Sequence, residues 1–414
     1  MIALAFIFGI PIFGDVIGLQ MGGMVFNLTL NYSYACIPMF ILMGEFLGRA
    51  GIAERLFEAI DLWTGRIAGG YAVTAVVISL ILSSCIGVIG AVIVLMCLLA
   101  VPSMMRRGYN KGLIAGTCMA GGALATITPP SIIAVVYGIQ AEIPIGDMFA
   151  GIAVPGLMLA IGYILYIIIR CAIRPQDGPK AEQEKIKEYG ILEKVKITIK
   201  SVLPVVMLVL IVLGSILTGF ASPTEASAVG AFGSFLLCVC YRKFNWKILR
   251  ECCEATLKSS SMVFIIILGG VMFSSVFITN GGNAMVQRVV SSMDLSPDAL
   301  VFLMLLFAFL IAFVIDCYAL ILVLVPIFAP LIKSAGLNPL WFAVLFCLIV
   351  QTSYLTPPVA PAVFFFKGAA PPEIKMKEMF IGAVPFLAIQ ILVLLLVWKF
   401  PDLATWLPSI VYSR

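Results

Sequence analysis

The residues of this sequence that could do chemistry are few, and they lie within apolar stretches. Asp316 is the only charged residue between positions 299 and 332, and the segment QTSYLT, residues 351–356, brings amide and hydroxyl groups into another apolar stretch. An acid in such a stretch is costly and is usually retained for function. Carboxylate, hydroxyl and backbone carbonyl oxygens suit Na⁺ as ligands. These residues therefore indicate a cation site.

Other kinds of chemistry are excluded by what the sequence lacks. It contains no histidine, which excludes His-based acid–base catalysis, His metal sites and His proton relays. Its 11 cysteines include no CxxC pair, so we expect buried apolar thiols rather than zinc ligands or disulfides. No GxxxxGK[ST] motif is present, so ATP hydrolysis by a P-loop is not expected. An intramembrane enzyme would need paired acids, and we predict no enzyme activity and no cofactor.

The composition indicates a membrane protein. Of 414 residues, 62% are hydrophobic and 11% are charged, and the mean hydropathy is +1.14. Soluble domains carry about 25% charged residues. Long uncharged runs and the need to satisfy backbone groups in lipid predict an all-α polytopic membrane protein in the bilayer. The net charge of +5 is modest and follows membrane topology, so no nucleic-acid partner is expected.

Two apolar stretches are interrupted by paired prolines, which lack the N–H that a helix needs. The interruptions are ALATITPPSI, residues 123–132, and SYLTPPVA, residues 353–360. A shift of 228 residues aligns 102–131 with 330–359 without a gap, and the identical positions include the turn and breaker residues. Matched breaks predict an internal repeat whose broken helices line a cavity. The alternative is that the prolines are kinks that serve packing.

Each repeat is predicted to begin with a helical hairpin. The run from Ile67 to Met105 carries no charge and would be roughly 58 Å long as one helix, too long for a single span. Gly87 and Gly90 interrupt it, which favours a re-entrant hairpin over two ordinary short spans. Asp316 falls at the corresponding tip of the second hairpin. If the hairpin arms cross the membrane fully, Asp316 is instead a solvated loop acid.

Basic residues predict the orientation of the chain. Residues 174–200 contain seven Lys and Arg, and residues 242–258 contain five, which places both segments in the cytoplasm. Counting spans from them places the N-terminus inside and the C-terminus outside, with the two repeats in opposite orientation. Inverted repeats with paired broken helices are typical of secondary transporters, whose sites lie near the midplane.

This organisation divides the chain into five parts. They are 1–66 with N-terminal scaffold helices, a first membrane segment over 1–25 and an interfacial helix over 51–65; 67–172 as the first inverted repeat; 173–298 with a cytoplasmic polar segment and scaffold helices; 299–400 as the second inverted repeat; and 401–414 as a C-terminal tail.

The candidate site residues cluster at the hairpin tips and the Pro-Pro breaks. Freed carbonyls suit Na⁺, and half-helix N-termini suit a carboxylate. The predicted sodium-binding residues are Gly87, Thr126, Thr128, Pro129, Asp316, Thr352, Ser353, Thr356 and Pro357. The predicted substrate-binding residues are Ser83, Ser84, Gly90, Pro130, Gln351 and Pro358.

Several segments carry a resemblance to a known family. GVIGAVIVLMCLLAVPSMMRRGYNKG, SPTEASAVGAFGS and LTPPVAPAVFFFKGAAPPE resemble the large membrane subunit of tripartite ATP-independent periplasmic (TRAP) transporters. MVFIIILGGVMFSSVF and QTSYLTPPVAPAVFFFKG resemble the subgroup labelled mannitol/chloroaromatic compound permeases. The resemblance extends from about Ile37 to Pro408. In place of the Ser-Gly-Ser and Asp tip of commoner branches, this chain has IGVIGAV, 86–92, and it has Ala319 where the subgroup usually shows an acid.

The resemblance implies Na⁺-coupled uptake of a small organic acid by an elevator mechanism in the bacterial inner membrane. It implies two protein partners, a small four-helix membrane subunit and a periplasmic substrate-binding protein. The family's sodium sites correspond to Gly87, Thr128, Asp316 and Thr356 of this sequence. The alternative is a stand-alone inverted-repeat carrier of ions or organic anions.

Overall fold

The computed structural model describes residues 1–14, 17–64, 67–180 and 190–412, and in these ranges it contains helices and no β-strand. The helices are α1 Ile2–Phe13, α2 Ile17–Leu30, α3 Cys36–Arg49, α4 Ile52–Thr64, α5 Gly70–Ile86, α6 Ile89–Arg106, α7 Lys111–Ala123, α8 Ile132–Ala141, α9 Ile145–Ile173, α10 Ile191–Leu217, α11 Pro223–Cys240, α12 Trp246–Thr279, α13 Gly282–Ser292, α14 Pro297–Ile311, α15 Cys317–Ser334, α16 Pro339–Leu355, α17 Pro361–Ala369, α18 Met376–Lys399 and α19 Asp402–Tyr412. The all-α prediction is confirmed.

Seven of the described helices are long and apolar enough to cross a membrane, or up to eight if the bent pair formed by α2 with the segment 32–49 is one span. The seven are α6, α9, α10, α11, α12, α15 and α18. Large apolar side chains are exposed along them, such as Leu203 at 48%, Leu210 at 57% and Ile265 at 61%. Exposed apolar surface on helices of this length is expected where lipid is the solvent.

The internal repeat is visible in the order and boundaries of the helices. Helices α6 and α7 are separated by the same turn as α15 and α16, at the same offset of 228 residues. Gly108 and Gly336 occupy equivalent positions in these turns, with φ of 73° and 69°. Asn110 and Asn338 then cap the following helices, each accepting the backbone N–H three residues ahead at 3.2 Å. The repeat predicted from the sequence is present in the fold.

Each repeat consists of a helical hairpin, a broken helix and a long helix. In the first repeat these are α5–α6, α7–α8 and α9, and in the second they are α14–α15, α16–α17 and α18. The arms α5 and α6 have 17 and 18 residues, so each is about 26 Å long against an apolar bilayer core of about 30 Å. The depth of the hairpins in the membrane stays a prediction.

The two repeats pack into each other reciprocally. Helix α6 of the first hairpin contacts α17 of the second broken helix, and α15 of the second hairpin contacts α8 of the first. Helices α7 and α18 approach most closely at Gly116 and Gly382. A methyl group at Gly382 would overlap the carbonyl group of Gly112, and one at Gly116 would overlap the carbonyl of Gly382. Small residues of this kind let membrane helices approach closely.

Segments that the charge pattern assigns to the cytoplasm meet at one end of the molecule. Arg107 pairs with Asp61 of α4 at 3.1 Å and lies over the ring of Tyr71, 4.1 Å from its centroid. The backbone N–H of Asn110 donates to the carbonyl of Asp177, which follows α9. The loops before α7 and after α9 therefore lie on the same side, as their predicted orientation requires. The predicted polar segment over 174–196 includes residues 181–189, which lie outside the described residues.

Two terminal regions differ from the predictions. The first membrane segment, predicted over residues 1–25, is interrupted: α1 ends at Phe13, and Gly14 adopts a left-handed conformation with φ of 54°. The predicted C-terminal tail contains helix α19, which packs on α9 and buries Ala404 at 1% exposure. Burial against a neighbouring helix stabilises α19, and this contact is not visible in its short sequence.

Replacing Gly382 with leucine is expected to separate α7 from α18, because no side-chain atom fits beside the Gly112 carbonyl. We expect a loss of stability of about 1–3 kcal/mol, or failure to assemble. The matched control is Gly368→Leu on α17, where a Cβ would have open space. Thermal unfolding of the purified protein in detergent measures both, and equal melting temperatures for the two variants would contradict the proposed close contact.

Candidate functional site

The first Pro-Pro break is buried among helices. Helix α7 ends in a 3₁₀ turn over Leu124–Thr126, and α8 begins after a cis peptide bond between Pro129 and Pro130. The hydroxyl of Thr126 donates to the carbonyl of Ala123 at 2.9 Å, and that of Ser131 donates to the carbonyl of Thr126 at 2.7 Å. These side chains satisfy carbonyl groups that the interrupted helix leaves open.

The tip of the first hairpin lies against this break. Gly87 ends α5 in a left-handed conformation with φ of 63°, and a methyl group there would lie 3.5 Å from the carbonyl oxygen of Pro130. Ser83 donates to the carbonyl of Gly121 on α7 at 3.5 Å, whereas Ser84 donates within its own helix. The structure therefore brings Gly87 and Ser83 next to the broken helix.

The second break is more exposed than the first. Both Pro357 and Pro358 are exposed and are joined by a cis peptide bond, whereas the first proline pair is buried. The hydroxyls of Thr352, Ser353 and Thr356 each donate to a carbonyl of α16 at 2.7 Å. Their protons are thus used within the helix, and their oxygen lone pairs remain available as acceptors.

Two predicted residues have hydrogen-bonding capacity that no described group uses. Gln351 is fully buried on α16, and neither amide atom has a partner among the described residues. The hydroxyl of Thr128, at the first break, is likewise buried without a partner there. A buried polar group that lacks a partner costs about 1–3 kcal/mol. These two positions are therefore expected to serve more than packing.

Asp316 stands at the tip of the second hairpin, immediately before α15. Its carboxylate accepts the backbone N–H of Tyr318 at 3.0 Å, as the N-cap of the helix. Val88 is the N-cap residue of α6 at the equivalent position of the first hairpin, so only the second tip carries an acid. Nearby Val314 is 86% exposed, which shows that this tip is open on one side.

A cavity of about 160 Å³ lies between the second tip and the second break. The tip contributes residues 312–317, including Asp316, and α16 contributes Ser353 and Tyr354. The hydroxyl of Tyr354 donates to the sulfur of Cys317 at 3.0 Å. The structure thus brings Asp316 and Ser353 of the predicted set to one cavity.

Phe365 of α17 connects this cavity with the first hairpin. Its ring lines the cavity, and the same ring would lie 3.0 Å from a methyl group at Gly90 on α6. Gly90, predicted to contact substrate, therefore allows close packing against Phe365 in this conformation. Sequence reasoning missed Phe365, Tyr354 and Cys317, because a ring or thiol in an apolar run gives no signal of which cavity it lines.

The contacts place the predicted residues in two groups. Gly87, Thr128 and Pro130 belong to the first break, and Asp316 and Ser353 belong to the second. In the part of the chain that is described, no group of three His, Cys, Asp or Glu side chains could hold a metal ion. A cation bound at either break would depend on carbonyl and hydroxyl oxygens, with the carboxylate of Asp316 at the second.

Comparison with known families gives a match over almost the whole chain. The sequence model of the tripartite ATP-independent periplasmic transporter DctM component matches residues 1–403. The C4-dicarboxylate TRAP transporter large permease protein DctM of Pseudomonas aeruginosa is 28% identical over 93% of this chain and 88% of its own. The sialic acid TRAP transporter large permease protein SiaM of Vibrio cholerae is 27% identical over 92% and 87%.

Further similarity is found in another relative and in a solved structure. The ectoine/5-hydroxyectoine TRAP transporter large permease protein UehC of Ruegeria pomeroyi is 26% identical over 100% of this chain and 95% of its own. The crystal structure of the YdaH transporter of Alcanivorax borkumensis superposes with a TM-score of 0.58 at 15% identity, covering 96% of this chain and 90% of that one. At this identity the solved structure indicates a shared fold.

Replacing Gly87 with leucine is expected to displace the first hairpin tip from the Pro130 carbonyl and to lower transport activity. Gly108→Leu is the matched control, because Gly108 also has a positive φ but has open space around it. Both variants incur about 1–2 kcal/mol for the left-handed backbone. Uptake assays and thermal unfolding should show a larger loss for Gly87→Leu, and equal losses would contradict a role for the tip contact.

Proposed function

The chain belongs to the DctM family of tripartite ATP-independent periplasmic transporters, and from this premise we propose that it imports small organic acids by coupling their uptake to Na⁺. It is a membrane permease, as its relatives are named, and no enzyme activity is expected. The observation that carries the coupling proposal is the repetition of one arrangement, a hairpin tip against a Pro-Pro break, in both repeats.

The cation is proposed to bind at these tips. At the first, the carbonyl of Pro130 and the free hydroxyl of Thr128 are oxygen ligands beside Gly87. At the second, Asp316 supplies a negative charge close to the hydroxyls of Ser353 and Thr356. Oxygen donors on interrupted helices are the usual ligands of coupling ions in transporters. Because Asp316 has no counterpart at the first tip, the second site should bind the cation more strongly.

We propose an elevator movement in which the two repeats form the moving body. Their reciprocal contacts support this division: α6 packs on α17, α15 packs on α8, and α7 and α18 meet at glycines. The remaining long helices α10, α11 and α12, with α3, would form the scaffold. Helix α4 links both parts, since Trp63 donates to Thr198 of α10 at 2.9 Å while Asp61 pairs with Arg107.

The proposed complex includes a small membrane subunit and a periplasmic binding protein that delivers the organic acid. The large permease proteins of C4-dicarboxylate, sialic acid and ectoine TRAP transporters support this assignment by their similarity. We place the chain in the bacterial inner membrane with a cytoplasmic N-terminus and a periplasmic C-terminus. A stand-alone carrier with the same repeats is the second candidate.

Two substitutions test the cation site. Asp316→Asn removes the charge and Thr356→Val removes the hydroxyl, and each should raise the Na⁺ concentration for half-maximal uptake by about tenfold, or about 1.4 kcal/mol. The measurement is Na⁺-dependent uptake by the complete system in proteoliposomes.

Matched controls exist for both variants. Thr218 ends α10 and donates to the carbonyl of Gly214 at 2.7 Å, as Thr356 does to Thr352, so Thr218→Val should leave Na⁺ dependence unchanged. Asp294→Asn changes an exposed acid in the same way. If neither Asp316→Asn nor Thr356→Val alters the Na⁺ dependence, the site assignment is wrong.

Dependence on the binding protein separates the two candidate functions. We expect negligible uptake by the membrane subunits alone and restored uptake when the purified binding protein and its ligand are added. Uptake at full rate without any binding protein would instead support the stand-alone carrier. The membrane potential and the Na⁺ gradient should be held constant between the two measurements.

A further inference from the structure

The cavity at the second hairpin tip has walls that are mainly apolar. Beside the tip residues 312–317, it is lined by Val350, Val359, Pro361 and Phe365. No Lys or Arg is among the described residues that line it. A site that recognises many hydroxyl groups needs convergent polar partners, because each buried group without one is destabilising. These walls do not provide such partners.

The polar groups at the cavity are few, and most are already engaged. Ser353 donates its proton to the carbonyl of Val350, and Tyr354 donates to Cys317. Asp316 accepts the backbone N–H of Tyr318 and retains further acceptor capacity. A ligand carboxylate at this cavity would therefore need a cation between itself and Asp316. This step rests on the proposed Na⁺ coupling.

The size of the cavity limits the ligand. Its volume of about 160 Å³ is close to that of an apolar cavity of about 150 Å³ that accommodates benzene. Phe365 and Val350 offer an aromatic face and a branched aliphatic wall to such a body. A large polyhydroxylated acid exceeds this volume, and a second carboxylate would be placed against carbon.

We propose that the substrate is a small monocarboxylic acid with a compact apolar body, either a single ring or a short branched chain. Its carboxylate binds toward the cation at Asp316, and its apolar body packs between Phe365 and Val350. Among organic acids, this excludes dicarboxylates and sugar acids as good ligands of the membrane permease, although relatives of this chain are named for such substrates.

The experiment is equilibrium binding of radiolabelled benzoate to the purified membrane complex in Na⁺ and, separately, in K⁺. We expect binding in Na⁺ that isobutyrate displaces, with succinate and gluconate weaker by about tenfold or more. Phe365→Ala should weaken benzoate binding by about tenfold. The neighbouring Phe364→Ala should leave it unchanged, because Phe364 is 57% exposed and does not line the cavity.

A second variant keeps the test decisive, because Phe365 also supports packing at Gly90. Val350→Thr preserves the shape of the wall but adds a hydroxyl, and should weaken benzoate more than succinate. Na⁺-dependent binding of succinate or gluconate with benzoate inert would overturn the substrate class and leave the transporter function standing. Absence of Na⁺-dependent binding by all four acids, together with absent Na⁺-driven uptake, would overturn both.

Discussion

The fold depends on one constraint: a helix that is broken inside a membrane must still satisfy its backbone carbonyl groups. At the first break the hydroxyls of Thr126 and Ser131 do this, and at the second break the hydroxyl of Thr356 does. The hairpin tips then cover the breaks, with Gly87 beside Pro130. Polar backbone is thereby kept inside the protein, where it lines a cavity between helices instead of facing lipid.

Much of the fold could be predicted because its determinants are local. Gly108 and Gly336 specify turns through their positive φ, and Asn110 and Asn338 start the next helices through side-chain caps. Such residues act within a few positions of the chain, so an alignment of the two halves detects them. Helix α19 and the interruption at Gly14 were not predicted, since a short apolar helix depends on the surface that it covers.

The candidate site was predictable only in part. The sequence identifies polar residues near the breaks, but it does not show whether a hydroxyl bonds its own helix, as Thr352 does, or is buried without a partner among the described residues, as Thr128 is. That difference depends on the side-chain rotamer and on the neighbouring repeat. The role of Phe365 was invisible for the same reason, because the ring lies between a cavity of the second repeat and Gly90 of the first.

The unequal burial of the two breaks has an energetic consequence. Residues 121–130 are buried, whereas Pro357 and Pro358 are exposed, although both segments follow one sequence pattern. If the two halves exchanged environments, the second break would become buried as the first became exposed, and packing of the same kind would form in place of the packing that is broken. The two conformations would then differ little in free energy. An ion gradient of ordinary size would be enough to bias such a balanced pair of states.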